Sequence, residues 1–374
     1  MTERKKLKYD SKDQMAFDVL AEFGVATSHA ITQIMGEKQG EALVGPEWYH
    51  AGLAATLNVK NRIGLEAQGS ISAMYVLNWM GIIWADAKVE ITNNCVRWST
   101  TSCPWSKGTS VYCSQHTHIV KAITEICAPE HRSPVSITLN PKSLSRGDKI
   151  CIYIMSADEG LDIDQAMASQ CTCEPLPPPL SLEEMALWNH SYMGGEWTAP
   201  LKSMLNELGP ETTMNALQPK FKEIGKDFAN RFKEEYKVSS NDFDSMVKGI
   251  EEFHSCFLKR GGLDRTFDGF EMTTNECPYS GEPSEICQLF QSFYEGLLEE
   301  IHPSLIMKNS AMMTKGDKTC HWTISKKGST ARVGAAPTRE DDSRTALKAL
   351  AFKYAQGEIT KDEYDELKKL IQGE

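Results

Sequence analysis

TTNECPYSGEPSEIC (273–287) and KGDKTCHWTIS (315–325) bracket an apolar, helix-spaced segment. The same order occurs earlier as TTSCPWSKGTSVYC (100–113) and RGDKICIYIM (146–155). In each stretch a Cys-Pro-aromatic-Ser turn is followed ten residues later by a second cysteine, and a Gly-Asp-Lys-x-Cys turn opens an alternating strand. Cys103, Cys113 and Cys151 therefore match Cys277, Cys287 and Cys320, with a five-residue difference between the second and third that a loop absorbs. Matched turns, thiols and helix predict a tandem duplication of one unit. Glycine before aspartate suits a turn that needs positive φ.

Working outward, helical spacing is read at 14–40, 47–59, 71–87 and 110–127, with Gly45-Pro46 as a break. Alternation over 88–99, 135–139 and 149–155 reads as strands. In the second half, helices are expected at 181–190, 199–208, 211–236 with an interruption at Pro219, and 240–259, followed by a strand at 267–274. The fold class expected is α+β: two tandem homologous units, each of helices packed on a small antiparallel sheet, plus a C-terminal helical hairpin. The division is 1–155 as the first unit, 156–182 as a Pro- and Cys-rich linker, 183–325 as the second unit, 326–342 as a second linker and 343–374 as the hairpin.

The chain has 374 residues, enough for real hydrophobic cores, and 51 Asp plus Glu against 40 Lys plus Arg. The basic residues are dispersed apart from a cluster at 4–8, so no concentrated positive footprint for nucleic acid is present. No apolar run approaches a membrane span, and the N-terminus lacks the apolar core of a signal peptide. A cytoplasmic protein is expected, and its 11 cysteines are read as thiols, ligands or nucleophiles in preference to a disulfide framework.

The second repeat resembles the closing segment of the L-2-amino-thiazoline-4-carboxylic acid hydrolase family, at Cys277, Cys287, Pro303, Gly316, Asp317 and Cys320. Its last motif is also similar to the end of 4-vinyl reductase domains, small-molecule-binding α/β modules. The tandem form departs from the single unit of the hydrolase family, and the first copy has Trp105 and an added His116 where the second has Tyr279 and Leu289 or Phe290. The tail resembles the short C-terminal SHOCT domain over 347–354, 357–360 and 363–370. That resemblance implies a homo-oligomer or a protein partner held through the tail.

The hydrolase resemblance implies Cys-mediated chemistry on C–N bonds of a small cyclic amidine, thiazoline or other sulfur- or nitrogen-containing molecule. Opening such a ring needs a nucleophile or an activated water, and a stabiliser of the tetrahedral centre. Cys277, Cys287 or Cys320 is the candidate nucleophile, with His254, His302 or His321 as base and Asp317 as orienter. The alternative is a non-catalytic small-molecule- or metal-binding accessory or sensor. For a metal, Cys103, Cys113 and Cys151 with Cys95 or His116 make the candidate set, suited to zinc or an iron–sulfur cluster. A third reading takes the same cysteines as small buried hydrophobes.

Overall fold

Apolar residues at three- and four-residue steps make the first helix, α1 (Ser11–Met35), and bury Phe17, Leu20, Phe23 and Ile31 along one stripe. The helix stops where Gly36 takes a φ of 81° and its N–H donates to the Thr32 carbonyl at 2.9 Å. α2 (Glu37–Ile63) then runs straight through Pro46, against the expected break. Burial of Val44 and Trp48 on either side outweighs the hydrogen bond that Pro46 cannot make. Gly45 is needed there for a different reason: a Cβ at this position would lie 2.8 Å from the His118 ring.

The structure is a computed structural model, and it describes residues 11–63, 88–91, 95–103, 105–106, 112–113, 117–119, 121–122, 137–156, 164, 182–239, 242–257, 261–266 and 269–326. The expected helix at 71–87, nearly all of the 156–182 linker and the hairpin at 343–374 lie outside the described residues.

Strands β1 (Lys88–Ile91), β2 (Cys95–Thr100), β3 (Ile137–Lys142) and β4 (Cys151–Ser156) form a four-stranded sheet in the order β1-β2-β4-β3. Its pairs are antiparallel, with Cys95 opposite Ser156 and Thr100 opposite Cys151. Residues 112–113, 117–119 and 121–122, between β2 and β3, are helical. After them in the chain come α3 (Leu182–Glu235) and α4 (Phe243–Phe257). β5 (Gly261–Thr266), β6 (Gly269–Thr274), α5 (Glu285–Ile301), β7 (Leu305–Ala311) and β8 (Cys320–Lys326) follow, and their sheet has the order β5-β6-β8-β7. The architecture is thus mixed helix and small antiparallel sheets, as expected of an α+β chain.

α3 corrects two expectations and meets a third. It is helical through 191–198, between the helices expected at 181–190 and 199–208, and Gly194 leaves room there for the Tyr279 hydroxyl, which a Cβ would meet at 3.1 Å. It also continues through Pro219, while the gap expected between 208 and 211 is present as a kink at Gly209 (φ 77°, ψ 161°), just before Pro210. α5 buries Ile286, Leu289, Phe290, Phe293, Leu297 and Ile301 and ends before Pro303, which lacks the N–H a further turn would use.

Residues 1–324 form one compact unit and 325–374 a second. The expected division at 156–182 therefore runs through a single unit. Phe23 of α1 stacks on Phe221 of α3 at 4.2 Å and meets Trp197, Phe290 and Phe293 edge-on. Arg231 of α3 is paired with Asp18 of α1 at 2.6 Å. Among the described residues no helix is long and apolar enough to cross a membrane.

Candidate functional site

Each sheet carries a thiol cluster where the Cys-Pro turn meets the strand opened by Gly-Asp-Lys. The turns are built alike. Ser106 N–H donates to the Cys103 carbonyl at 3.0 Å, and Ser280 N–H to the Cys277 carbonyl at 3.1 Å. Gly147 (φ 87°) and Gly316 (φ 91°) take the left-handed conformation expected of them. Asp148 Oδ2 accepts the Ser143 N–H at 2.8 Å, and Asp317 Oδ2 accepts the Met312 N–H at 2.7 Å. Asp317 is therefore a turn lock, and its charge opposes ionisation of Cys320.

In the second half the three sulfurs come together. Cys320 Sγ accepts the Met313 N–H at 3.3 Å, and the Cys277 thiol acts on its titration. Cys287 Sγ lies 3.2 Å from Thr314 Oγ1 and is electrostatically coupled to both other sulfurs. Cys277 pulls the Cys320 thiol down, against the effect of burial, while Cys320 and burial push Cys277 up. Burial also raises Cys287. Of the two thiols, Cys320 is the one on which negative charge is favoured.

The sequence-derived bases are elsewhere. His321 follows Cys320 on a strand, so its side chain leaves by the opposite face. Its Nδ1 lies 2.9 Å from Ser310 Oγ and its Nε2 lies 3.3 Å from Glu271. His302 Nδ1 lies 2.9 Å from Ser304 Oγ. His254 packs against Tyr294 and Trp322, its Nδ1 2.9 Å from the Tyr294 hydroxyl and its Nε2 buried without a hydrogen-bond partner. Burial alone lowers its pKa to about 4.

That value has a measurable consequence. An unfolded histidine takes a proton near pH 6.5 and the folded one does not until about pH 4, so stability present above 6.5 is lost as pH falls through that window. The contribution is up to about 3 kcal/mol. Urea titrations at stepped pH are expected to show the loss, and His254→Phe to flatten it; an unchanged slope in the variant refutes the assignment.

In the first half Cys103, Cys113 and Cys151 also converge around two buried tyrosines, and each sulfur contributes to raising Tyr153, after burial. Cys113 Sγ lies 3.1 Å from Ser143 Oγ and 3.0 Å from Ser145 Oγ, and Asn140 Nδ2 donates to Cys151 Sγ at 3.6 Å. Burial, then Cys113, pushes Cys151 up to about 11, so the two halves differ chemically. Glu196, 1% exposed on α3, joins this cluster. Its Oε2 is 3.4 Å from the Tyr112 hydroxyl, and its carbonyl accepts the Trp48 Nε1–H at 2.7 Å. Sequence reading missed Glu196; the only signal was a carboxylate between two glycines and a tryptophan.

Of the proposed metal set, Cys95 does not join the three converging thiols. Cys95 sits at the far end of β2 from Thr100, the residue paired with Cys151. Five strand residues separate the two positions by about 17 Å. His116 lies outside the described residues. Among the described residues no group of three or more His, Cys, Asp or Glu is arranged to hold a metal ion, and Cys103, Cys113, Cys151, Cys256, Cys277, Cys287 and Cys320 are free thiols.

No family model, curated protein or solved structure matches this chain.

Proposed function

We propose that this is a hydrolase-like protein whose working nucleophile is Cys320, acting on a C–N bond of a small cyclic amidine, thiazoline or related molecule. One observation carries the reading: Cys320 Sγ accepts the Met313 N–H at 3.3 Å, and with the Cys277 thiol acting in the same direction its pKa falls to about 7 despite burial. Such donors stabilise a thiolate, the reactive form of cysteine. In the first step Cys320 Sγ bonds to the C=N carbon and the π pair moves to nitrogen, which takes the Cys277 proton. The adduct then expels an amine that carries away the proton of the neighbouring nitrogen, leaving a C=N bond in a thioimidate on Cys320. Water adds across that bond, the C–S bond breaks as the C=O forms, and the released hydroxyl proton returns to Cys277.

The tandem arrangement, the likeness of the second repeat to the thiazoline-carboxylate hydrolases and the recurrence of the same turn contacts support an origin by duplication. On this reading the second copy is reactive and the first, with Cys151 held protonated, is a binding or structural copy. A C-terminal hairpin of SHOCT type would assemble the protein with itself or a partner in the cytoplasm.

The test is the pH profile of carbamidomethylation. Cys320 is expected to react first with iodoacetamide, its rate rising through about pH 7, and Cys320→Ser to abolish both that fast phase and amidine turnover. Turnover that survives the substitution refutes the nucleophile. The second reading, a non-catalytic small-molecule module of 4-vinyl reductase type, is favoured by one fact: Cys320 is only 2% exposed. Saturable ligand binding without turnover, retained in Cys320→Ser, would select it.

A further inference from the structure

We propose that the inner face of the second sheet binds a small, uncharged, planar molecule with a carboxamide or lactam group, held by His254 of α4, Trp322 of β8 and Asn309 of β7. Four buried polar atoms carry the inference. His254 Nε2, Trp322 Nε1 and both amide atoms of Asn309 have no hydrogen-bond partner among the described residues. A buried donor or acceptor that nothing meets costs stability, so native folds keep few of them. Here they gather on one layer of one sheet. The site stands whether Cys320 works as a nucleophile or the unit only binds.

The strands set the grouping. Ser310 Oγ lies 2.9 Å from His321 Nδ1 and 3.4 Å from the His321 carbonyl oxygen, on the exposed side of the sheet. Side chains alternate along a strand, so Asn309 and Trp322, each one residue away, share the opposite side. The helices cover them from there: the His254 ring centroid is 6.2 Å from that of Trp322, and the Tyr294 ring of α5 is 6.3 Å from the same indole. β7 is an edge strand, and Asn309 and His254 are half-buried as whole residues, so a small molecule approaches from that edge.

The first half shows the same positions spent inside the fold. Counted from the strand-opening cysteines, Tyr153 stands where Trp322 does, and Asn140 where Asn309 does. The Tyr153 hydroxyl donates to the Cys113 carbonyl at 3.3 Å. Asn140 Nδ2 donates to the Ile152 and Lys142 carbonyls at 2.8 and 3.1 Å, which leaves only its Oδ1 over. In the second half the carbonyl matching that of Ile152 belongs to His321 and takes the Ser310 hydroxyl instead, so the Asn309 amide keeps all its capacity.

The donors define the ligand. The Tyr294 phenol is a stronger acid than a neutral imidazole N–H, so it is assigned as donor to His254 Nδ1, 2.9 Å away, which places the ring proton on Nε2. Three N–H groups and one acceptor, Asn309 Oδ1, then match a carbonyl oxygen with an adjacent N–H. No Lys or Arg is buried among the described residues, so an anion would lack a counter-charge.

The experiment titrates the full-length chain, its eight tryptophans isotope-labelled at the indole nitrogen, with 2-pyrrolidinone and follows each indole N–H by NMR. The signal missing from Trp322→Phe identifies Trp322, and it is expected to shift saturably. Asn309→Leu is expected to weaken binding about tenfold. Cyclopentanone, which keeps the carbonyl and lacks the N–H, tests the same pairing on the unmutated chain and is expected to bind about tenfold more weakly than the lactam. Equal binding of the two probes, unchanged affinity in Asn309→Leu, or shifts that rise linearly in every indole would each overturn the site. Lactam binding by a chain that leaves amidines untouched removes the hydrolase alone, and amidine turnover by a chain whose Trp322 ignores the lactam removes this site alone.

Discussion

Gly296→Ala is expected to cost about 3 kcal/mol or more, at the upper end of what overpacking does to a well-filled interior. Gly296 on α5 and Gly225 on α3 face each other where the two helices cross. A Cβ on Gly296 would penetrate the Lys222 carbonyl, and one on Gly225 would penetrate the Phe293 carbonyl and crowd the Leu297 N–H. These are backbone atoms, so no rotamer change relieves the contact and the helices themselves must part. Parting them loosens Phe221, Phe293 and Leu297, all fully buried. The paired variant Gly225→Ala/Gly296→Ala should lose less than the two singles added, because one separation makes room for both methyls. Gly281→Ala, with nothing within 4 Å, is the control expected to stay within about 0.5 kcal/mol. Urea midpoints decide it; a Gly296→Ala midpoint equal to that of the control would mean the crossing is looser than described.

The parts of this fold that were legible in the sequence are those with local causes. The Gly147-Asp148 and Gly316-Asp317 turns declare themselves because positive φ needs glycine and the following carboxylate accepts a nearby backbone N–H. β2, β4, β6 and α5 follow from period-two or three-to-four-residue apolar spacing. What failed depended on distant partners. The stretch 191–198 lies between two expected helices, and the continuous helix makes sense only with Tyr279 placed against Gly194. The β5 sequence, GGLDRT, has two glycines and no apolar alternation, and it pairs with β6 from Gly261 opposite Thr274 to Thr266 opposite Gly269. At the site, three matched thiols per half were readable from spacing, but the histidine assignment was not. His321 is adjacent to Cys320 in sequence and on the other face of the strand in space, where Glu271 and Ser310 hold it. The donor that does reach Cys320 is the Met313 backbone N–H, which has no spacing signature.

The interlocking of the two halves was equally invisible, and it yields the second large expectation: Phe23→Ala should destabilise the unit by about 3–5 kcal/mol. Phe23 is 0% exposed and belongs to α1, before the first sheet, yet its ring contacts are Phe221, Trp197, Phe290 and Phe293, all from residues after 190. Removing the ring leaves a void walled by four aromatics anchored on two other helices, which cannot close far without moving α3 against α5. The Gly225–Gly296 crossing already holds that pair at its shortest approach. Phe23→Leu, which keeps most of the volume, should cost markedly less. The same geometry sets the behaviour of fragments. A chain of residues 183–325 exposes the aromatic face that α1 covers and loses the Asp18–Arg231 and Lys12–Glu252 pairs. It is therefore expected to bind hydrophobic dye and unfold without a cooperative transition, and adding residues 11–35 in trans should restore one. Cooperative unfolding of the isolated 183–325 segment, at a urea midpoint equal to the full chain's, would show that α1 is only an ornament on a self-sufficient half.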